Sequence, residues 1–214
     1  MIDDKKVIII GNSPSVLEYK LGDIIDSYDV VIRINRCITR GFEENIGEKI
    51  DIWATTKNSY YEDKFVPENY KDLSYIWHRT PLSKKSLILP EKTNASHYIM
   101  FKTSNKLDSY WDKNHRLKKT NHEPCTGLLT ILTSTLFYSD VTIHGFTFYG
   151  ESKGFVTGYY RDSELINGKT HKEDIYWTEN KNSGFAGENV ANRKQKIIDK
   201  LIEDKLIKIL NTDG

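Results

Sequence analysis

The chain contains little cysteine and no long apolar run. Its two cysteines, Cys37 and Cys125, have no cysteine or histidine neighbour at zinc-ligand spacing, so we expect no structural zinc site. The sequence does not decide whether they form a disulfide, although two thiols among 214 residues fit a reducing compartment at least as well. The apolar residues 7–10 are too few for a signal peptide or for a membrane span of roughly 20 residues. We therefore expect a cytoplasmic protein.

The sequence also lacks a charge excess and the common nucleotide-binding fingerprints. Lys and Arg number 31 against 30 Asp and Glu, and the resulting net charge of +1 argues against a nucleic-acid partner. No GxGxxG or GxxxxGK[ST] motif is present, which disfavours dinucleotide oxidoreductases and P-loop kinases. No Asp-x-Asp pair follows a predicted strand, so we do not expect the metal clamp of many sugar transferases.

What the chain does contain is enough apolar material for one folded domain. Apolar residues make up 38% of the sequence and aromatic residues 12%, which excludes wholesale disorder. A length of 214 residues fits one domain, and no Pro-, Gly- or Ser-rich linker divides it. We predict a single domain over residues 1–214.

Short β-branched runs alternate with helical patterns along the chain. Because strands that alternate with helices usually pair in parallel, we predict an α/β fold, a single Rossmann-like domain with a mainly parallel sheet flanked by helices. The predicted strands are residues 7–10, 29–35, 51–54, 73–77, 97–101, 141–144 and 207–210. The predicted helices lie around residues 21–27, over 126–138 and over 190–202.

Small polar residues stand where several of these elements end or begin. The segment GNS at 11–13 follows the first strand, Asn35 closes the second, and residues 126–127 open the predicted buried helix. In an open α/β sheet, ligands bind at the carboxyl ends of the strands, where backbone N–H groups and helix N-termini are exposed. These positions are therefore candidates for a nucleotide site.

Two long segments resemble the sialyl motifs of glycosyltransferase family 29. Residues 7–53, with GNSPS, VVIRIN and GFEENIGEKIDIW, resemble the large motif, and residues 124–146, PCTGLLTILTSTLFYSDVTIHGF, resemble the small motif. The similarity to the bacterial family 42 is more distant. The resemblance implies a sialyltransferase-type variant of the GT-A fold with nucleotide-binding motifs over 7–56 and 124–149. It also implies a CMP-activated sugar as donor, with no cofactor and no metal.

In these families the motif residues hold the donor nucleotide. By resemblance, the donor-binding residues of this chain are Gly11, Asn12, Ser13, Asn35, Thr126, Gly127, Gly145 and Phe146. The residue types leave plainer roles open, because asparagine often caps a turn and threonine often caps a helix N-terminus. Asn12, Asn35 and Thr126 are therefore open to both interpretations.

The catalytic groups are harder to assign. By resemblance to family 42, Tyr149 assists the departure of the phosphate. Both families carry a histidine base just before the last helix, whereas this chain has Glu188-Asn189 there. Three interpretations stay open: Glu188 is the base, His171 replaces the missing histidine, or neither acts and the protein only binds nucleotide sugar. His144 lies inside an apolar strand, so we predict that it is a core residue.

Two segments outside the motifs have unusual composition. Residues 102–122 carry six Lys or Arg against two Asp, which indicates either a solvated basic face or a patch that meets an anionic donor, an acceptor or a membrane surface. Residues 150–187 are polar and show little periodicity, as expected of an active-site loop or lid.

The resemblance to these families therefore implies an inverting, metal-independent glycosyltransferase. It would move an acidic sugar, foremost sialic acid, from a CMP-sugar donor to a hydroxyl of a glycan or glycolipid acceptor in the synthesis of a surface polysaccharide or lipo-oligosaccharide. We expect it in the cytoplasm, with peripheral membrane contact through residues 102–122 as one option, and its oligomeric state stays open. A CMP-Kdo transferase and a catalytically impaired nucleotide-sugar binding protein are the alternatives.

Overall fold

The chain folds around one parallel β-sheet. The computed structural model describes residues 3–35, 37, 39–55, 73–79, 94–100, 125–146 and 188–212. In chain order, the elements are β1 (Asp3–Ile10), a 3-10 turn (Pro14–Leu17), α1 (Gly22–Asp26), β2 (Val30–Ile34), α2 (Glu43–Ile46), β3 (Ile52–Thr55), β4 (Tyr75–His78), β5 (Ser96–Ile99), α3 (Thr126–Phe137), β6 (Tyr138–His144), α4 (Glu188–Glu203) and β7 (Lys208–Ile209).

The seven described strands are ordered β5-β4-β3-β2-β1-β6-β7, and every pairing between them is parallel. In the centre of the sheet, Val7 of β1 is in register with Val30 of β2 and with Val141 of β6. The predicted α/β class is therefore confirmed, and the sheet is wholly rather than mainly parallel within the described residues.

The apolar residues of the central strands are buried on both faces of the sheet. One face packs against α3 and α4 and the other against α1 and α2, so neighbouring residues of one strand enter different clusters. The cluster on the α3 and α4 face includes Val7, Ile9, Ile32, Leu128, Leu132, Ile143, Ile198 and Leu201. The cluster on the opposite face includes Ile8, Ile10, Val31, Ile25 and Ile46. This two-sided burial explains why these strands read as continuous apolar runs.

The first strand is longer than its hydrophobic pattern indicates. It begins at Asp3 rather than at residue 7, and its residues up to Lys6 are exposed. Asp3 is in register with Tyr138 and Lys6 with Asp140 at the outer end of β6. Since this end of the sheet is solvated, no apolar residue marks the start of the strand.

The order of the strands creates a switch point at the centre of the sheet. From β1 the chain builds outwards through β2, β3, β4 and β5, and β6 then pairs with the opposite side of β1. Crevices form at such points beyond the carboxyl ends of the strands, and ligands bind there in open α/β sheets. The ends of β1 and β6 are therefore the place where a site is expected.

None of the helices in the described part of the chain combines the length and the apolar character that a membrane span requires. Neither Cys37 nor Cys125 forms a disulfide.

Candidate functional site

The loops that follow β1 and β6 are held together at the switch point. The N–H of Gly11 donates to the carbonyl of His144 at 2.8 Å, and the N–H of Ser13 donates to the carbonyl of Gly145 at 3.1 Å. A Cβ at Gly11 would lie 2.1 Å from the carbonyl oxygen of Gly145, so only glycine permits this approach. Gly145 itself has a φ of +74°, and a Cβ there would lie 2.2 Å from Cγ1 of Val16.

Asn12 links this pair of loops to the end of β2. Its Nδ2 donates to the carbonyl of Ile34 at 2.8 Å. The side-chain NH2 group of Asn12 therefore holds the loop after β1 against the neighbouring strand β2. This contact gives Asn12 a turn-stabilising role in addition to the donor-binding role predicted from the motif.

Asn35 is the next residue along the same edge and has a constrained backbone. Its φ of +52° lies in the left-handed region, which asparagine tolerates better than most residues. Its N–H donates to the carbonyl of Ala54 at 2.8 Å, and its own carbonyl accepts from Nε1 of Trp53 at 2.7 Å and from the N–H of Cys37 at 3.0 Å. The backbone of Asn35 is thus fixed from three sides.

The side chain of Asn35 carries a buried oxygen to which no described residue donates a hydrogen bond. Oδ1 is buried and has no hydrogen-bond partner among the described residues. Buried amide oxygens in folded proteins are nearly always hydrogen-bonded, because an unpaired one costs about 1–3 kcal/mol. An oxygen of this kind at the carboxyl edge of the sheet is suited to accept a hydrogen bond from a ligand.

The N-terminus of α3 approaches the same edge. Cys125 is the N-cap and makes no side-chain capping bond, and Thr126 is the first helical residue rather than the cap that its residue type suggested. Thr126 is buried, and its carbonyl accepts from the hydroxyl of Thr130 at 2.8 Å. The first N–H groups of a helix have no partner within the helix, and together with the helix dipole they attract anions.

Gly127, the second residue of α3, lies beside the ends of β2 and β6. A Cβ at this position would lie 3.0 Å from Cε1 of Phe146 and 3.8 Å from Cδ1 of Ile34. A Cβ at Gly11 would likewise lie 3.1 Å from Cγ of the Phe146 ring. The loops after β1 and β6, the end of β2 and the start of α3 therefore meet in one place.

His144, the last residue of β6, is a core residue as predicted. It is buried, and burial lowers the pKa of its imidazole below the ordinary value. Its Nε2 has no hydrogen-bond partner among the described residues. The neutral imidazole therefore belongs to the residue that directly precedes Gly145 of the candidate site.

The structure thus brings together all eight residues predicted to bind the donor. The predicted catalytic residues are not placed in the same way, since Tyr149 and His171 lie outside the described residues, and Glu188 is described only as the first residue of α4. The basic segment 102–122 and the predicted loop 150–187 also lie outside the described residues. Within the described residues no group of three His, Cys, Asp or Glu side chains is arranged to hold a metal ion.

Trp53 has a role in the site that its sequence pattern did not predict. Its indole is fully buried, and its Nε1 fixes the carbonyl of Asn35 from the adjacent strand. The tryptophan stands at the end of the GFEENIGEKIDIW segment, so its position in the motif was the available signal. The contact joins positions 18 residues apart and depends on the pairing of β2 with β3, which a local pattern does not reveal.

A family model described as glycosyltransferase family 29 (sialyltransferase) matches residues 4–176, which include every described residue of the site. The chain belongs to glycosyltransferase family 29. The family resemblance of the two sequence motifs is therefore confirmed.

Curated relatives in family 29 are similar over most of this chain. The chain is 26% identical over 184 residues to the CMP-N-acetylneuraminate-beta-galactosamide-alpha-2,3-sialyltransferase 1 of Sus scrofa, covering 76% of this chain and 49% of that one. It is 27% identical over 181 residues to the protein of the same name from Gallus gallus, covering 74% and 48%. The chain spans about half the length of the curated relatives it matches.

Solved structures from mammals share the fold. A crystal structure of a mammalian sialyltransferase in complex with Gal-beta-1-3GalNAc-ortho-nitrophenol superposes with a TM-score of 0.61 at 18% identity, covering 97% of this chain and 69% of that one. A second crystal structure of a mammalian sialyltransferase gives a TM-score of 0.62. These matches confirm the predicted α/β fold of the sialyltransferase type.

Proposed function

We propose that the protein transfers sialic acid from CMP-sialic acid to a hydroxyl group of a glycan acceptor. The observation that carries the proposal is the convergence of three strand-end loops on the N-terminus of α3, within the motifs of family 29. The names of the curated relatives support the choice of donor, since those proteins are named for CMP-N-acetylneuraminate.

The nucleotide phosphate is expected at the start of α3. The N–H groups of Gly11 and Ser13 already donate to the last residue of β6 and to the glycine that follows it, so they shape the site. The N–H groups in the first turn of α3 have no helical acceptor, and no acidic residue lies in that turn. They are therefore the stronger ligands for a phosphate, and the positive end of the dipole adds to the attraction.

The buried oxygen of Asn35 is expected to accept a hydrogen bond from the nucleotide. An amide oxygen accepts hydrogen bonds, and it therefore suits a hydroxyl or an amino group better than a phosphate oxygen. Ribose hydroxyls and the cytosine amino group are the donors that a CMP moiety offers. Binding would supply the hydrogen bond that no described residue gives to Oδ1.

The proposed reaction is an inverting substitution without a metal. The acceptor hydroxyl oxygen bonds to the anomeric carbon of the sugar while the bond from that carbon to the phosphate oxygen breaks, and CMP leaves. A base takes the hydroxyl proton, and Glu188 and His171 are the two residues proposed for this role. Tyr149 is proposed to donate a hydrogen bond to the departing phosphate.

The first experiment is a thermal-shift measurement on the full chain with CMP, CDP, UDP, GDP and NAD in the presence of EDTA. A ligand that binds only the folded state raises the melting temperature by mass action. We expect CMP to raise it and the other ligands to leave it nearly unchanged. A response to UDP, GDP or NAD with no response to CMP would contradict the proposal.

The second experiment asks which residue is the base. Glu188→Gln and His171→Ala are assayed for transfer from CMP-sialic acid and, separately, from CMP-Kdo. Loss of the base should lower kcat by about 10²–10⁴-fold and leave the CMP-induced thermal shift intact. CMP binding without turnover in the wild type would indicate a nucleotide-sugar binding protein, and turnover of CMP-Kdo alone would identify the other sugar.

We also propose a cellular setting for this activity. The acceptor would be a glycan or glycolipid precursor of a surface polysaccharide at the cytoplasmic side of a membrane. The excess of Lys and Arg in residues 102–122 supports contact with an anionic surface. Sedimentation of the purified chain with anionic and with neutral vesicles tests the membrane contact.

A further inference from the structure

Phe146 packs against two glycines that belong to different parts of the site. A Cβ at Gly127 would lie 3.0 Å from Cε1 and 3.7 Å from Cδ1 of the ring. A Cβ at Gly11 would lie 3.1 Å from Cγ of the same ring. Real Cβ atoms rarely approach carbon this closely, so an alanine at either glycine would require the ring or the backbone to move.

The ring of Phe146 therefore lies between two nucleotide-binding segments. Gly11 begins the loop after β1, which is hydrogen-bonded to the end of β6. Gly127 belongs to the first turn of α3, where the phosphate is expected. The half-buried ring also packs against the core cluster on the α3 face of the sheet, which holds it in place.

We propose that Phe146 is a positioning residue whose ring sets the separation between the loop after β1 and the N-terminus of α3. Because Gly127 has no side chain, the ring has space beside the first turn of α3. The inference rests on the proposed function, because the purpose of this separation is to match the CMP moiety. It assigns to Phe146 a spacer role rather than direct contact between its ring and the nucleotide.

The packing predicts that Gly127→Ala is harmful only when the ring is present. In Gly127→Ala, the added methyl presses on the ring edge and displaces α3 from the loop. The displaced helix N-terminus no longer matches the CMP moiety, and we expect the Kd for CMP to rise by about tenfold or more. In Gly127→Ala/Phe146→Leu, the shorter side chain leaves room for the methyl, and CMP affinity returns to that of Phe146→Leu alone.

The test is a double-mutant cycle on the full chain with two readouts. Titration calorimetry with CMP gives the Kd of the wild type, both single variants and the double variant. The melting temperature without ligand gives the same cycle independently of CMP. We expect Gly127→Ala to lower the melting temperature in the wild-type background but not in the Phe146→Leu background, because alanine is the better helix former once the clash is removed.

Phe137→Leu is the matched control, because Phe137 lies at the other end of α3 and packs against Trp77 and Tyr98. Gly127→Ala should weaken CMP binding equally in the wild-type and Phe137→Leu backgrounds. Steady-state kinetics should show the effect of Gly127→Ala mainly in the KM for the CMP-sugar, since an altered separation affects donor binding.

Two results would overturn the inference. One is additivity of Gly127→Ala and Phe146→Leu in both readouts. The other is loss of CMP binding in Phe146→Leu while Gly127→Ala binds normally, which would indicate direct contact with the nucleotide. Failure of the wild type to bind CMP would instead overturn the proposed function, and the ligand-free melting cycle would then still report whether ring and glycine are coupled.

Discussion

Asn35 combines a strained backbone with an unsatisfied oxygen, and the two features can be separated by mutation. Its φ of +52° costs most residues about 1–2 kcal/mol, whereas glycine adopts this conformation freely. Both variants remove the unpaired Oδ1 and differ in backbone strain, so we expect the free energy of unfolding of Asn35→Ala to be lower than that of Asn35→Gly by roughly this amount. Both variants lose Oδ1, so both should bind CMP more weakly.

Urea unfolding and CMP titration of the two Asn35 variants provide the check. Equal stability of Asn35→Ala and Asn35→Gly would show that the left-handed backbone is not a constraint. Normal CMP affinity in Asn35→Gly would show that the amide oxygen does not contribute to CMP binding. The glycine variant is thus the informative one, since it removes the side chain without adding strain.

Arg33 is a charged residue with a structural task. It is buried in β2, and its Nε donates to the carbonyl of Lys49 at 2.8 Å while Nη2 donates to the carbonyl of Ile46 at 2.7 Å. The planar guanidinium binds both carbonyls at once, which a lysine ammonium cannot imitate. We expect Arg33→Lys to lower the free energy of unfolding by roughly 2–4 kcal/mol, measured by urea denaturation.

A surface cation serves as the control for Arg33. Lys20 forms an exposed ion pair with Glu44, with 77% and 74% of the two side chains accessible, and such pairs are screened by solvent. Lys20→Met should therefore leave the urea midpoint nearly unchanged. A loss in Lys20→Met as large as the loss in Arg33→Lys would mean that the buried hydrogen bonds of Arg33 contribute no more to stability than an exposed ion pair.

At the scale of elements, the turn after β6 depends on a glycine in a crowded left-handed position. Gly145→Ala adds backbone strain of about 1–2 kcal/mol and forces a methyl against Val16 at 2.2 Å, which costs about 1–3 kcal/mol more. Gly41 has a φ of +85° but meets no described atom within 4 Å, so Gly41→Ala should show the strain alone. Calorimetric unfolding of both variants tests the difference, and an equal loss would contradict the crowding at Gly145.

The order and type of the main elements follow from local sequence pattern, whereas the contacts between them do not. The runs before Gly11 and Asn35 and the leucine spacing of α3 predicted two strands and a helix that the structure contains. The exposed start of β1 carries no apolar signal, and it was missed for that reason. The bond from Trp53 to Asn35 depends on strand pairing, and a local pattern holds no information about it.

The candidate site was predictable to a different extent from the fold. Motif similarity selected residues that the sheet brings together, because strand ends far apart in sequence meet at one edge of a parallel sheet. It did not reveal that Phe146 packs between Gly11 and Gly127, since side-chain packing depends on three-dimensional separation. It also did not settle the base, because His171 lies outside the described residues and Glu188 is described only as the first residue of α4.

For the molecule as a whole, the buried His78 and His144 and the half-buried His97 link stability to pH. His78 in β4 and His97 in β5 stack with ring centroids 5.0 Å apart, and Nε2 of His78 lies 2.7 Å from Nδ1 of His97. Burial and the neighbouring His97 lower the pKa of His78 to about 3, and burial lowers the pKa of His97 and of His144. All three are therefore expected to be neutral in the folded state at pH 7.

These shifts fix the direction of the pH dependence. In the unfolded chain each histidine titrates near its ordinary pKa of about 6.5, so below that pH the unfolded state binds protons that the folded state excludes. Stability should be constant above about pH 7 and fall as the pH drops from about 6.5 towards 3. Each histidine contributes at most ~1.4 kcal/mol per pH unit, and carboxylates add a further loss only below about pH 4.5.

Urea denaturation at pH 7.5, 6.0 and 5.0 isolates the histidines, since the carboxylates stay ionised over this range. We expect the midpoint to fall steadily on acidification in the wild type. His78→Gln should be less stable at pH 7.5, because the contact with His97 changes, but its midpoint should fall less steeply, because one buried titrating group is gone. A wild-type midpoint that does not change between pH 7.5 and 5.0 would show that the histidines are accessible to protons in the folded state. An unchanged slope in His78→Gln would assign the pH dependence to other groups.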